Sequence, residues 1–346
     1  MDKFADIIQI ILEQSFWKNF PLHLMSYRQQ LLADAILGRA EGTVTSYLYK
    51  CRHFFAWLIR VGYQVSLPVK DEAVAAYLCQ LNSTSPSDST VVTAAAAIRW
   101  IHNLTNSALN PVDAPLVQQV LSHAKRYLHK PPNQKLPFSL ELLKKIIDTF
   151  VHEKSTLLQL RTACCVSLKY ALLFRHNEMS GLKANHISPL PNSDAMRVFI
   201  PKSKTDVFRD GDQGFLYDTG DCYSPVRLLN LFMNKAGIRL GEDKFIFTPL
   251  TFCSSSRSHR ITLNRPLSYT RCREIFLDAL KQIGVDNIQD YGLHSMRSGG
   301  ASHLANNGVS EELILQHGRW KTTAAKNRYV KTDLDKRLLT AKAVLT

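Results

Sequence analysis

Several features common in other protein classes are scarce or missing from this 346-residue chain. Its seven cysteines form no CxxC pair, and only Cys164 and Cys165 are adjacent. An odd count without paired spacing excludes a disulfide framework or a cysteine-based zinc site and points to a reducing, intracellular compartment. No apolar run approaches the roughly 18 residues that a membrane-spanning helix needs. There is no Walker loop, no Asp/Glu cluster at metal-ligand spacing, no internal repeat and no convincing basic localisation run. The opening stretch "MDKFADIIQIILEQSF" is mixed in charge and reads as a short amphipathic helix rather than a targeting peptide.

What the chain has is positive charge. Lys and Arg number 43 against 29 Asp and Glu, while a hydrophobic fraction of 45% supports a sizeable core. Such an excess suits a polyanionic partner, and nucleic acid is favoured because no amphipathic stretch carries a lysine-rich face for a membrane. The excess is uneven. Residues 1–130 hold 12 basic and 9 acidic residues, and the remainder holds 31 and 20, so the polyanion is expected to meet chemistry in the second part.

The length allows two domains. The first 130 residues read as helices. Val44, Tyr47, Leu48, Cys51, Phe54, Phe55 and Leu58 form one face at a 3.6-residue period. "DEAVAAYLCQL", the Ala-rich "VVTAAAAIRWIHNL" and "LVQQVLSHAKRYLH" follow, with Asn82–Thr90 expected as a polar loop. "KPPNQKLP" cannot continue a helix and marks the boundary. The resulting division is a helical domain over 1–130, a linker over 131–137 and a second domain over 138–346. In the second domain Ser139 is a candidate N-cap, and "TLLQLRTACCVSLKYALLF" is a candidate central helix. "AMRVFIPKSKTDVFRDGDQGFLYD" reads as a small antiparallel sheet, and helices resume from Ser268.

Four segments carry chemically capable residues. In "LLFRHNEMSGL", Arg175 and Glu178 are three apart, so on a helix the carboxylate can orient the guanidinium. Taken alone, that is equally an ordinary surface ion pair. The hairpin segment "PKSKTD" offers Lys202 and Lys204, which by themselves are turn lysines. In "YGLHSMRSGGASHLANNGV", His294 and Arg297 are again three apart, on a helix expected to end at Gly308. There Ser298, Gly299 and Gly300 leave room for another backbone to approach. "HGRWKTTAAKNRYV" supplies His317, Trp320 and Tyr329, and single aromatics are commonly core residues.

The order and spacing of these residues resemble the tyrosine recombinase (phage integrase) family. Arg297 follows His294 by 3, Trp320 follows Arg297 by 23, and Tyr329 follows Trp320 by 9. The likeness covers the second domain and, with weaker motifs, the N-terminal helices. "LHSMRSGGAS" with "HGRWKTTAAKNRYV" is similar in particular to recombinases of animal DIRS-like and Crypton-like mobile elements, and nuclear residence is implied only by that likeness.

The resemblance implies a mainly α fold: a helical, SAM-like core-binding domain, then an α-helical catalytic domain with a small antiparallel β-sheet, as in DNA breaking–rejoining enzymes. It implies a catalytic set of Arg175, Lys204, His294, Arg297, Trp320 and Tyr329, with Glu178 behind them. His317 lies 12 residues before Tyr329 and does not fit the family's His-or-Trp position, which Trp320 occupies. The "SKT" pattern favours Lys204 over Lys202, and Tyr291 and His303 are given structural roles. The expected activity is site-specific DNA cleavage and rejoining through a 3′-phosphotyrosine on Tyr329. No cofactor or metal is expected. The expected partners are double-stranded DNA and three further copies in a homotetramer on paired sites, helped by an apolar stripe (Leu334, Leu338, Leu339, Val344) in the C-terminal tail that docks either on a neighbour or in cis. Two other functions share the sequence features: a non-cutting DNA-binding protein derived from a mobile element, and a type IB topoisomerase-like activity.

Overall fold

A computed structural model describes residues 5–131, 134–203, 206 and 210–344. Backbone contacts divide the chain into two units, Met1–Asn133 and Gln134–Thr346. Pro132 and Asn133 of the expected linker lie outside the described residues, whereas Leu136 and Phe138 donate backbone hydrogen bonds to Asp290 and Ser295 of the second unit. Helix accounts for 57% of the chain and strand for 8%, the mainly α class expected. No described helix is long and apolar enough to cross a membrane.

The described helices of the first unit are α1 (Ala5–Leu12), α2 (Ser15–Lys18), α3 (Arg28–Leu37), α4 (Glu41–Arg60), α5 (Asp71–Thr84), α6 (Asp88–Asn103) and α7 (Pro115–Tyr127). The stripe read from Val44 is the buried face of α4: Val44, Leu48, Cys51, Phe54, Phe55 and Leu58 are buried and Tyr47 partly so. The alanines of α6 let α4 approach closely enough for the Cys51 thiol to reach the Ala97 carbonyl at 3.5 Å. The polar loop expected over Asn82–Thr90 shrinks to residues 85–87. Ser83 and Thr84 turn their hydroxyls onto the Cys79 and Gln80 carbonyls one turn back, which lets α5 run on. Asp88, with its charge at the positive end of α6, then starts the next helix.

The second unit is built on α9 (Leu157–Ala171), preceded by α8 (Leu140–Phe150). Ser139 caps α8 by accepting from the Leu142 N–H, as expected, and a Thr156–Gln159 capping box opens α9. Leu157 and every residue from Leu160 to Tyr170 are buried, so α9 is the central rod of this core. After the short α10 (His176–Ser180) come β1 (Ile187–Pro189), β2 (Ala195–Ile200) and β3 (Asp212–Tyr217). These pair antiparallel in the order β1-β2-β3, with Ala195 opposite Tyr217 and Ile200 opposite Asp212. Met196, Val198 and Ile200 alternate inward, as a half-buried strand requires. Gly214 lets β3 lie close to Leu172, since a Cβ there would be 2.8 Å from Leu172 Cδ2.

Next come α11 (Pro225–Ala236) and a second hairpin, β4 (Leu250–Cys253) and β5 (Ser258–Ile261), which sequence reading did not find. Its strands are four residues each and its turn "SSSR" has no glycine to announce it. The chain closes with α12 (Tyr269–Gln282), α13 (Ser295–Asn306), α14 (Glu311–Gly318), α15 (Thr323–Asn327) and α16 (Leu334–Ala343). Gly308 adopts φ +79° just beyond α13, the left-handed stop expected of it.

Candidate active site

The site lies within the second unit, where the chain leaving α9 meets α13 and the α14–α15 turn. Leu173 takes a left-handed conformation (φ +49°), uncommon for a non-glycine residue, and turns the chain out of α9. The carbonyls of Leu172 and Leu173 there accept from arginines far along the sequence. Arg175 is the N-cap residue of α10 and not a member of the helix, because its backbone is extended (ψ 159°). Glu178 at the third helical position reaches back to the Arg175 N–H at 2.9 Å and to its guanidinium at 2.7 Å. The expected pair therefore forms as a capping interaction, with the carboxylate buried.

Arg297 projects from α13 into the core and is fully buried. Gly299 and Gly300 make this possible by letting two backbones touch α13. A Cβ on Gly299 would lie 1.7 Å from the Phe138 carbonyl oxygen, and one on Gly300 2.5 Å from that of Tyr170. The Arg297 guanidinium donates to the Leu173 and Gly318 carbonyls, while its Nε–H has no acceptor among the described residues. Its central carbon lies 4.1 Å from the centre of the Trp320 ring and 5.2 Å from that of Tyr329. Burial, and after it the charge of Arg175, pushes Arg297 down to about 9, against the pull of Glu178.

Trp320 is buried, and its indole N–H also lacks an acceptor among the described residues. Its ring folds back over Gly318, where a Cβ would fall 1.8 Å from the indole. Tyr329 follows α15 and is half-buried, 5.4 Å from the Trp320 ring and 5.9 Å from that of His294. Ser298 and Ser302, one turn apart on α13, both hydrogen-bond the Tyr329 carbonyl and so fix the tyrosine's backbone. His294 stands at the N-cap position of α13 without a side-chain capping hydrogen bond, and it is exposed. His317 stands 2.7 Å from the Ala171 carbonyl, with burial lowering its pKa. Lys202 is exposed at the start of the β2–β3 loop, and Lys204 lies outside the described residues.

No family model matches the chain. It is 24% identical over 298 residues to an integrase/recombinase XerD homolog of Selenomonas ruminantium, covering 85% of this chain and 82% of that protein. The fold is that of XerH site-specific recombinase in a post-cleavage complex with a palindromic difH substrate (TM-score 0.60, 15% identity, 87% and 78% of the two chains). It is also that of the Tn1549 transposon integrase bound to transposon right-end DNA (0.59, 13%, 92% and 99%) and of a lambda integrase dimer on a COC′ core site (0.53, 15%, 94% and 85%). In sequence and in fold the chain is similar to tyrosine recombinases and integrases.

The described residues that the sequence picked out cluster as follows: Arg175, Glu178, Arg297, Trp320 and Tyr329 together, and His294 beside the tyrosine. Sequence reading missed Arg319. It is buried in a left-handed conformation (φ +56°), and its guanidinium lies 3.1 Å from Glu178 Oε2. Its neighbours Gly318 and Trp320 were the available signal, but no spacing rule places an arginine there. The i, i+4 pair Ser298 and Ser302 was legible as one helix face, yet nothing local says that the face meets Tyr329. Among the described residues, no three His, Cys, Asp or Glu side chains are grouped to hold a metal.

Proposed function

We propose that this protein is a tyrosine recombinase that cuts and rejoins DNA at specific sites, with Tyr329 as nucleophile. The single observation that carries this reading is a pair of buried donors without acceptors among the described residues, the Arg297 Nε–H and the Trp320 indole N–H, beside a half-buried phenol. Buried donors are costly unless matched. The non-bridging oxygens of a phosphodiester supply acceptors and the negative charge that this cationic setting lacks.

In the proposed step the Tyr329 oxygen attacks phosphorus and the bond to the 5′-oxygen breaks. The 3′-phosphate is left on the tyrosine and the other strand end becomes a 5′-hydroxyl. Arg175 and Arg297 neutralise the charge that grows on the phosphoryl oxygens, and Trp320 adds a donor that cannot carry a proton. His294, next to the tyrosine ring, is assigned to proton transfer at the phenol, and Lys204 to protonating the departing 5′-oxygen. Attack by a 5′-hydroxyl on the phosphotyrosine restores a phosphodiester, so bond energy is conserved and no nucleotide is consumed.

The proposed partners are duplex DNA and further copies of the chain, assembled as a tetramer on paired sites. Supporting this, the apolar residues of α16 do not fold onto their own unit: Leu334, Leu338 and Leu339 are each more than half exposed. A cavity of about 710 Å³ between the β2–β3 sheet and α13–α14 has an apolar side (Phe199, Phe215, Leu304, Val309, Leu313) and a polar one (Asp210, Asp212, Gln213, Gln316, His317), and is proposed as the seat of a neighbour's tail. The helices of residues 1–130 are assigned the core-binding role, and the likeness to animal mobile-element recombinases makes the nucleus the proposed compartment.

The test is a nicked suicide DNA substrate resolved on a denaturing gel. Wild type is expected to give a covalent protein–DNA band, and Tyr329→Phe none. A band that survives the substitution removes Tyr329 from the chemistry. DNA binding without any band favours the non-cutting reading.

A further inference from the structure

Glu178 is the only carboxylate paired with the arginines of the site among the described residues, and three guanidiniums surround it. Arg175 holds Oε1 at 2.7 Å, Arg319 holds Oε2 at 3.1 Å, and Arg297 stands 4.0 Å from that same Oε2. All but Arg175 are buried to within a few per cent of complete, so solvent does little to weaken these interactions. The cluster carries two surplus positive charges. Lys169 is also fully buried nearby, and burial pushes its amine towards neutrality.

Two buried arginines thus face one carboxylate oxygen, and only one holds it. Arg319 wins because three carbonyls fix it. It donates to His317 and Leu172 at 2.9 Å and to Leu173 at 3.4 Å, and its left-handed backbone aims the side chain back across the turn. Arg297 stands off from Oε2, and its Nε–H has no acceptor among the described residues.

We infer that Arg319 is a positioning residue for strand cleavage: by occupying Glu178 Oε2 it prevents Arg297 from closing an ion pair with Glu178 and so keeps Arg297 available to the phosphate. The inference rests on the phosphotyrosine reading above and deepens it. Without Arg319 the neighbouring guanidinium needs to move only about 1 Å to reach charge-assisted hydrogen-bond distance. Arg297 would then be neutralised within the protein.

The experiment measures single-turnover formation of the covalent band with Arg319→Ala, Glu178→Gln and the double variant, alongside wild type, with DNA binding followed separately. Arg319→Ala is expected to lose about 10²-fold in rate, the scale of losing one electrostatic donor, while still binding DNA. The double variant is expected to recover about tenfold over Arg319→Ala, because the amide has no charge to capture Arg297; such non-additivity is the mark of direct coupling. A role confined to holding the fold predicts the opposite, a double variant no better than Arg319→Ala, and that result overturns the inference. So does an Arg319→Ala rate equal to wild type. Should Arg319→Ala fail to fold, Arg319→Gln replaces it in both comparisons, since its amide retains a donor for a carbonyl. If neither folds, Arg319 is a folding element and the inference falls. A wild type that forms no band sinks the phosphotyrosine reading itself, a separate result.

Discussion

Gly299 shows how a residue with no side chain decides where a candidate catalytic one goes. The Phe138 N–H donates to the Ser295 carbonyl at 2.9 Å, which draws the chain entering the second unit across α13. A methyl group on Gly299 would meet the Phe138 carbonyl oxygen, which is backbone and cannot rotate away. Gly299→Ala is therefore expected to destabilise the protein by about 2 kcal/mol through overpacking. That outweighs the ~1 kcal/mol by which alanine improves on glycine in a helix. Urea unfolding of both proteins measures the difference, and a midpoint equal to or above wild type would refute the close approach. Gly318 serves Trp320 in the same way, because only a residue without Cβ leaves space for the indole.

At the scale of elements, the tail helix is the part whose packing is least explained by its own unit. Lys336 reaches the Ala305 carbonyl at 3.1 Å and the Asp333 N–H meets Asn306 at 3.4 Å, so polar contacts tether α16 while its leucines face solvent. Leucines exposed on a helix whose polar side is already engaged are what the proposed docking on a neighbouring copy would cover. Removing residues 333–346 is expected to leave the Tyr329 covalent band within about twofold and to abolish complete recombination between two sites, since the contacts described for the candidate site lie before residue 331. Recombination at the wild-type level by the truncated chain would dismiss the tail as an assembly element. The β2–β3 hairpin was legible from its residues because β-branched and aromatic strands flank a Lys/Gly/Asp turn. The β4–β5 hairpin was not, because a four-residue strand is too short for alternation to stand out from chance.

At the scale of the whole molecule, charge is the informative quantity. The 11-charge excess beyond residue 130 lies in the unit that holds the candidate site. Phosphate contacts made with such a surface release counterions, so DNA affinity is expected to fall by about 10³-fold or more between 50 and 200 mM salt. In the proposed reaction the guanidiniums neutralise the phosphoryl oxygens, so strand cleavage is expected at the same rate in excess EDTA. Loss of the covalent band in chelator, with recovery on adding Mg²⁺, would contradict the mechanism. A salt-insensitive affinity would mean that the positive surface is not the DNA-binding one.

The sequence by itself determined which residues are present, in what order, and how they fall on any continuous helix. That is why the α4 stripe, the Ser139 cap, the small side chains around Arg297 and the Arg–His–Arg–Trp–Tyr spacing could all be read from it. Helical geometry converts spacing into direction, and the conversion holds only while the helix lasts. Between α9 and α10, and between α14 and α15, the chain turns through the left-handed residues Leu173 and Arg319, and spacing no longer fixes direction. Only tertiary structure decided that Arg175 caps a helix and is not part of it, that Arg319 and not Arg297 holds the second oxygen of Glu178, and that the tail's leucines stay exposed. The Arg319–Glu178 contact joins segments more than a hundred residues apart and the tail's exposure is a matter of burial, neither of which a local stretch encodes, while the extended backbone that takes Arg175 out of the helix is a conformation that residue spacing does not report.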